Sequence, residues 1–405
     1  MHPLVSWSSM NTEGKLEGGK RMARPKFDPK ELEPSGEFYP AMSGFGGMVM
    51  PPDPILQRPI SAAENLKLLL SGKKPYWIPV GGFMGADMQG FRPRINPDNI
   101  ANHQIFDGGP AYDYSDIIKT SKYGDHINSW WFDLDWITTD VGGAMFLPGA
   151  PKIPDITHWE DYISMPDLDL CDWDSLAEMN ATYLGTDKLN QLGIQCGLWE
   201  RLMALMDATD AALALIDDEM KVGTHRFFDA YANFLIDYIG RVKERVNIEC
   251  VVIHEDWAHQ RGPFFSADIA REMLVPYVKR ITDFCHANGM FYEIHMCGAT
   301  ELLIPTYIEA GVDMWSAIQP LLYDTGALVK QYKNENLVFG MSAPEVTPDY
   351  TEAAMRQAAK DFVDEYKDCK IMVSYFSMDP EFPGYHPGFQ AAVYEYSRLA
   401  YQDED

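Results

Sequence analysis

Phe291-Tyr292-Glu293-Ile294-His295-Met296-Cys297-Gly298 reads as a short strand that rises out of Ala287-Asn288-Gly289-Met290 and ends on an imidazole, a thiol and a glycine. Side chains alternate between the two faces of a strand, so residues two apart share one. His295 and Cys297 would therefore point the same way, with Glu293 behind them on that face. Imidazole nitrogen and thiolate sulfur on one face are what Zn2+ takes as ligands, and a nearby carboxylate can ligate or support them. A lone H-x-C also fits plain packing, because free Cys is among the most buried residue types. The surroundings have to decide between the two.

Outward from this strand the text is regular. Helices are predicted over 198–206, 211–217 and 221–245, then a strand over 249–254 and a helix over 266–288 that begins on Ser266 and ends near Gly289. After the 291–297 strand come a helix over 300–310, a strand over 312–316, a short helix over 325–332 and a strand over 337–340. A helix over 351–367, a strand over 370–375 and a last helix over 389–401 complete the run. Alternation of strand and helix means a parallel sheet. At this length a (β/α)8 TIM barrel fits better than an open doubly wound sheet. No glycine-rich dinucleotide fingerprint follows any strand, which weakens the open-sheet reading further.

Upstream, the stretch over 60–72 opens with Ser61 and Glu64 in capping-box spacing and carries Leu66, Leu69 and Leu70 on one face, a helix. A first strand follows over 76–80. Residues 1–55 read as an extended N-terminal arm and 56–405 as the barrel; within the arm, 44–52 (GFGGMVMPP) holds enough Gly and Pro to exclude regular structure. Between 99 and 195 the text is aromatic and turn-rich. There 128–138 is a candidate strand whose Asp133 and Asp135 face a cleft, and 157–173 starts as a short helix and turns acidic. The whole region reads as insertion or lid material around the barrel mouth.

Composition bounds the function. A net charge of −27 argues against nucleic acid and anionic membrane, both of which need a basic footprint. No apolar run approaches the roughly 18 residues of a membrane span, and the N-terminus lacks the pattern of a signal peptide. The 6 cysteines have no framework spacing. They read as reduced thiols in a cytoplasm.

Active groups of a barrel sit where its strands end. One strand end delivers His254-Glu255-Asp256-Trp257, the next His295-Met296-Cys297-Gly298, the next 316–319 with Gln319, then 341–345 and 377–379. Consecutive units neighbour each other, so Glu255 and Asp256 should come toward His295 and Cys297. Candidate catalytic groups are Asp256, Glu255 and Glu293; candidate metal ligands are His295 and Cys297; candidate substrate contacts are Trp257, His254, Asp135 and Gln319. Each has a structural alternative. His254 could bond to backbone, and either Glu255 or Asp256 could cap a following loop. Cys369 precedes its strand and belongs to the opposite face.

These residues carry a resemblance. With His295-x-Cys297-Gly298, Leu302-Leu303-Ile304-Pro305 and Ile308-Glu309-Ala310-Gly311-Val312-Asp313, the chain resembles the uroporphyrinogen decarboxylase superfamily and its cobalamin-dependent methyltransferase branch. Ile253-His254-Glu255-Asp256-Trp257, Pro263-Phe264-Phe265-Ser266, Leu274-Val275-Pro276 and Gly142-Gly143 before Pro148-Gly149 add a likeness to anaerobic O-demethylase methyltransferases over residues 60–400. The resemblance implies a TIM barrel that moves a methyl group between a small methoxylated compound, foremost an aryl methyl ether, and the cobalt of a separate corrinoid protein. A homodimer is left open.

Relatives that methylate thiols hold zinc through H-x-C and a further Cys beyond the last strand; here that neighbourhood has Ser374, Ser377 and Asp379. Glu255, Asp379, Glu381 or His386 would have to replace the missing thiolate. Relatives that decarboxylate uroporphyrinogen carry an N-terminal arginine motif, of which only isolated Arg58, Arg92 and Arg94 appear. The expectation is thus a corrinoid-dependent O-demethylase with zinc. In it zinc polarises the ether oxygen, or Asp256 or Glu255 protonates it, and Trp257 with Trp130-Trp131-Phe132 walls an aromatic pocket. The alternatives are a decarboxylase, a methylcorrinoid:thiol methyltransferase and a binding module without catalysis.

Overall fold

Short apolar runs between amphipathic stretches set the frame. The computed structural model describes residues 24–39, 42–43, 49–50, 54–81, 88–91, 118–121, 124–129, 131–138, 144–171, 173, 185–194, 196–316, 318–342, 351–374 and 387–403. Its main sheet has strands β1 (Val80–Gly81), β2 (Met88–Phe91), β3 (Leu189–Ile194), β4 (Cys250–His254), β5 (Phe291–His295), β6 (Met314–Ser316), β7 (Val338–Ser342) and β8 (Ile371–Ser374). They lie in the order β1-β8-β7-β6-β5-β4-β3-β2, and every neighbouring pair is parallel. The two end strands, β1 and β2, are consecutive in the chain, the order a closed (β/α)8 barrel requires. Among the described residues no ladder joins them, so the architecture shown is a mixed α/β chain around an eight-stranded parallel sheet.

Helix α1 (Ala62–Leu70) precedes the sheet, α2 (Leu198–Met206), α3 (Ala208–Ala214), α4 (Asp218–Arg245), α5 (Ala267–Met273), α6 (Val275–Ala287), α7 (Ile304–Glu309), α8 (Thr325–Gln331) and α9 (Glu352–Tyr366) connect strands β3 to β8, and α10 (Pro387–Tyr401) follows it. The capping box of α1 forms as its spacing predicts: Ser61 Oγ accepts from the Glu64 amide at 3.1 Å, and the Glu64 carboxylate accepts from the Ser61 amide at 3.0 Å. No described helix is long and apolar enough to cross a membrane.

Several expectations change. The helix expected over 266–288 is two, α5 and α6, broken at Leu274. Pro276 explains the break, since it has no N–H and its ring crowds the carbonyl four residues back. The strand expected over 128–138 is a hairpin. Strands Gly124–Ser129 and Leu134–Thr138 pair antiparallel, with Phe132 and Asp133 at positive φ (63° and 52°) in the turn. Together with Ile118–Ser121 and Ala144–Phe146 they make a four-stranded antiparallel sheet.

The following segment docks on α4. Arg226 donates to the Thr157 carbonyl at 2.7 Å and to Glu160 at 2.9 Å. Trp131 meets Phe234 and Tyr238 edge-on, at 4.9 and 5.2 Å, and Phe132 meets Tyr231 at 5.9 Å. Trp131 and Phe132 are therefore glue between this sheet and α4, not a substrate wall; Trp130 lies outside the described residues.

In the arm, Met42–Ser43 pairs with Val49–Met50, and the second of these strands lies within the stretch 44–52 expected to lack regular structure. Further back, Glu31 is buried and held by Arg398 of α10, Nε to Oε2 at 2.7 Å and Nη2 to Oε1 at 2.9 Å, while Tyr394 donates to it at 2.6 Å.

Candidate functional site

Strand pairing builds the site. β4 and β5 run in register with His254 opposite His295, and the two imidazoles stack with centroids 3.9 Å apart and planes 15° apart. Beyond β4 the chain turns sharply at Asp256, whose φ of 33° is in the left-handed region that a side chain disfavours. Asp256 Oδ1 accepts from the Cys297 amide at 2.7 Å, and the Trp257 amide donates to Met296 Sδ at 3.3 Å, so the turns after the two strands are tied together.

β5 ends at His295, which puts Cys297 in the turn and not on the strand as the alternation implied. The turn still returns its thiol to the same place: Cys297 Sγ is 3.5 Å from His295 Nε2. Gly298, at φ 84°, makes this possible by lying against the hairpin Ala258–His259/Gly262–Pro263. A Cβ there would fall 2.8 Å from the Ala258 carbonyl. Gln319 Oε1 accepts from the Gly298 amide at 3.1 Å, and the Ala299 amide donates to the His259 carbonyl at 3.0 Å.

The result is one carboxylate oxygen of Asp256, one nitrogen of His295 and the sulfur of Cys297 within 4.8 Å of one another. These three residues could hold a metal ion. A tetrahedral zinc with bonds of about 2.3 Å to sulfur and about 2.05 Å to nitrogen would set those two atoms about 3.6 Å apart. The observed 3.5 Å fits, and so does the O/N/S donor set. Burial pushes the Asp256 carboxyl up to about 6 against the pull of the Cys297 amide. It pushes the Cys297 thiol up as well, with Asp256 and Glu200 adding negative charge nearby. A cation at this point would reverse both tendencies, since ligation favours the deprotonated forms.

The neighbouring carboxylates have other work. Glu255 is buried, its Oε1 accepting from the Leu198 amide at 2.8 Å and its Oε2 from the Trp199 amide and the Trp257 indole, each at 3.0 Å. It caps α2, whose own N-cap residue, Gly197, supplies no side-chain bond. Burial raises it to about 7 against those three donors. Both oxygens are engaged at the start of α2 and by the Trp257 indole, and Glu255 does not converge with Asp256, His295 and Cys297.

Glu293 lies deeper on β5, raised to about 7 by burial, and takes hydrogen bonds from the Ser316 hydroxyl and the Gln191 amide. It does not join the three converging groups. Trp257 is wholly buried against Phe265 and Tyr307 at 5.9 and 5.7 Å, core and not pocket wall. Gln319 holds the Gly298 turn, and Asp135 lies on the antiparallel sheet. Ser377, Asp379, Glu381, His386, Arg92, Arg94 and Gly142-Gly143 fall outside the described residues, as does the side chain of Ser374.

Sequence reasoning missed Gln191 and Glu200. Gln191 lies in a fully buried strand whose text, LNQLGI, has no clean period; a polar pair inside an otherwise apolar run was the available signal. Glu200 left none, because its place beside Cys297 depends on α2 being pinned by Glu255.

No protein-family model matches the chain, and neither does any curated protein. Solved structures do. A methyltransferase from Methanosarcina mazei is 15% identical, with a TM-score of 0.52 over 85% of this chain and 99% of that one. A B12-independent methionine synthase from Shewanella sp. W3-18-1 is 11% identical, with a TM-score of 0.38 over 70% of this chain and 75% of that one, too low to argue from. At such identity the first likeness concerns fold alone, and it extends over nearly the whole of that methyltransferase.

Proposed function

We propose that the chain is a methyltransferase that takes the methyl group from a methoxylated small molecule, foremost an aryl methyl ether, and passes it to the cobalt of a separate corrinoid protein. The observation that carries this reading is the convergence of Asp256, His295 and Cys297 at the C-terminal ends of β4 and β5. The fold likeness to a methyltransferase and the resemblance of these segments to O-demethylases support it.

His295, Cys297 and Asp256 would hold zinc, with Asp256 in the place expected of Glu255 or of a residue beyond β8. Bound zinc supplies a Lewis acid for the ether oxygen, which matters because phenolate is a poor leaving group. The protein's own part is positional. His254 stacks on His295 and limits its rotation, while Asp256 holds the Cys297 amide and thereby aims the thiol. In the proposed reaction the methyl C–O bond would break as the Co(I) electron pair of the separate corrinoid protein forms the Co–C bond, and the departing oxygen would take up a proton from water. The lack of a Cys in the sequence over 374–386, where thiol-methylating relatives carry a further thiolate, favours ether demethylation over thiol methylation.

The test combines metal and turnover. Purified protein should hold about one zinc per chain, and His295→Ala, Cys297→Ala and Asp256→Asn should each lower occupancy. Mixed with a reduced corrinoid protein and a panel of methoxylated compounds, methylamines and thiols, it should bleach the cob(I)alamin spectrum with the methoxylated set. Unchanged metal content in all three variants would remove the metal centre. A silent spectrum with zinc-loaded protein would remove the demethylase reading.

A further inference from the structure

Directly behind the Cys297–Gly298 turn is a knot of polar side chains that the site does not use. The hydroxyl oxygens of Thr300, Tyr307 and Tyr323, and Oε2 of Glu301, are all buried without a well-formed hydrogen bond. They share one place. Tyr307 and Tyr323 both direct their hydroxyls toward that of Thr300, and Tyr323 also meets the Gln319 backbone and feels the charges of Glu301 and Cys297. The two tyrosines flank Trp315, at 5.9 and 6.0 Å between centroids, and Trp315 donates to the Met296 carbonyl at 3.4 Å. Thr300 and Tyr307 are wholly enclosed.

Leaving hydrogen-bonding capacity unmet in the core costs up to about 1–3 kcal/mol per group, and three hydroxyls that each donate and accept have more of it than they give one another. Buried water typically makes about three hydrogen bonds to just such groups. A carboxylate oxygen and three hydroxyls offer it both acceptors and donors.

We propose that Thr300, Tyr307 and Tyr323 enclose a bound water and that this hydrated cluster positions the Cys297–Gly298 turn, making the three hydroxyls positioning residues for the thiol. The geometry stands without the metal reading; the consequence for zinc rests on it.

Thr300→Val removes the central hydroxyl at nearly constant volume. Two readouts on the full-length protein decide the matter. In metal-free protein, alkylation by iodoacetamide resolved by peptide mass spectrometry should speed up several-fold at Cys297 and stay constant at Cys369, and Thr300→Ser should restore the slow rate. In zinc-loaded protein, competition with a chromophoric chelator should show affinity lowered by roughly 10–100-fold, as for other residues that support metal ligands. If Thr300→Val does not fold, Tyr323→Phe answers the same question. Cys297 alkylation at the wild-type rate in a folded variant, with thermal stability equal or higher, would show a dry cluster and overturn the proposal. Failure of the parent protein to bind zinc would sink the metal reading alone and leave the alkylation result decisive here.

Discussion

Replacing Gly298 with alanine should separate two penalties that usually arrive together. Gly298 and Gly289 both have left-handed backbones, at φ 84° and 70°, so a Cβ at either meets the same conformational cost of about 1–2 kcal/mol. At Gly289 that is all, because nothing lies within 4 Å of the added carbon. At Gly298 the carbon falls 2.8 Å from the Ala258 carbonyl carbon and oxygen and 2.9 Å from the His259 nitrogen, where ordinary contact begins at 3.4 Å. These are backbone atoms of a hairpin and cannot rotate away, so overpacking adds about 1–3 kcal/mol. Urea unfolding should therefore place Gly289→Ala about 1–2 kcal/mol below wild type and Gly298→Ala about 2–5 kcal/mol below. The excess should also have a local sign. The easiest relief is for the turn to move off the hairpin, carrying the Cys297 thiol from His295 and stretching the Asp256 bond to the Cys297 amide, so zinc affinity should fall in Gly298→Ala and hold in Gly289→Ala. Equal losses of stability in the two variants, with equal metal binding, would refute the packing of the Gly298 turn against the hairpin.

Glu255→Ala strands the Leu198 and Trp199 amides and the Trp257 indole, and should lower stability by about 3–5 kcal/mol in denaturant titration; lost activity in a variant of wild-type stability would return Glu255 to the chemistry. Arg398→Met leaves the Glu31 carboxylate buried without its partner, which should cost about 3–5 kcal/mol and open the segment around residues 24–39 to protease. An unchanged digestion pattern would show that the ion pair does not hold the arm. The Asp313 carboxylate, 2.8 Å from His286 Nε2, raises that imidazole above its ordinary 6.5. A folded value above the unfolded one contributes stability that is full below pH 6.5 and lost as pH rises through the raised value. Wild-type urea midpoints should therefore decline over that window relative to His286→Gln, and parallel curves would dismiss the linkage.

The alternation of strand and helix from β4 to β8 could be read because those strands are short apolar runs buried on both faces, which a single sequence displays directly. β3 could not, because LNQLGI has one β-branched residue and no aromatic to mark a strand, and its Asn190 and Gln191 find their partners far away in the chain, on the Asn247 carbonyl and Glu293. The same holds within the site. His295 and Cys297 were visible through their spacing, although the spacing argument placed Cys297 on the strand and the structure brings it back by a turn. Adjacent carboxylates at 255 and 256 were visible as a pair, yet nothing local distinguishes them.

What assigns them is the start of α2. Its N-cap is Gly197, which has no side chain to offer the Leu198 and Trp199 amides, so the cap must come from another element, and the β4 end supplies it through Glu255. The sharp turn at Asp256 then leaves that carboxylate to face Cys297. The arrangement cannot be rewired by giving α2 a cap of its own. A Cβ at Gly197 would fall 2.2 Å from the Glu255 carboxyl carbon, so serine or aspartate at 197 would expel the carboxylate it was meant to replace. Glycine at 197 and glutamate at 255 therefore form one unit, and the freedom of Asp256 to face His295 and Cys297 depends on both.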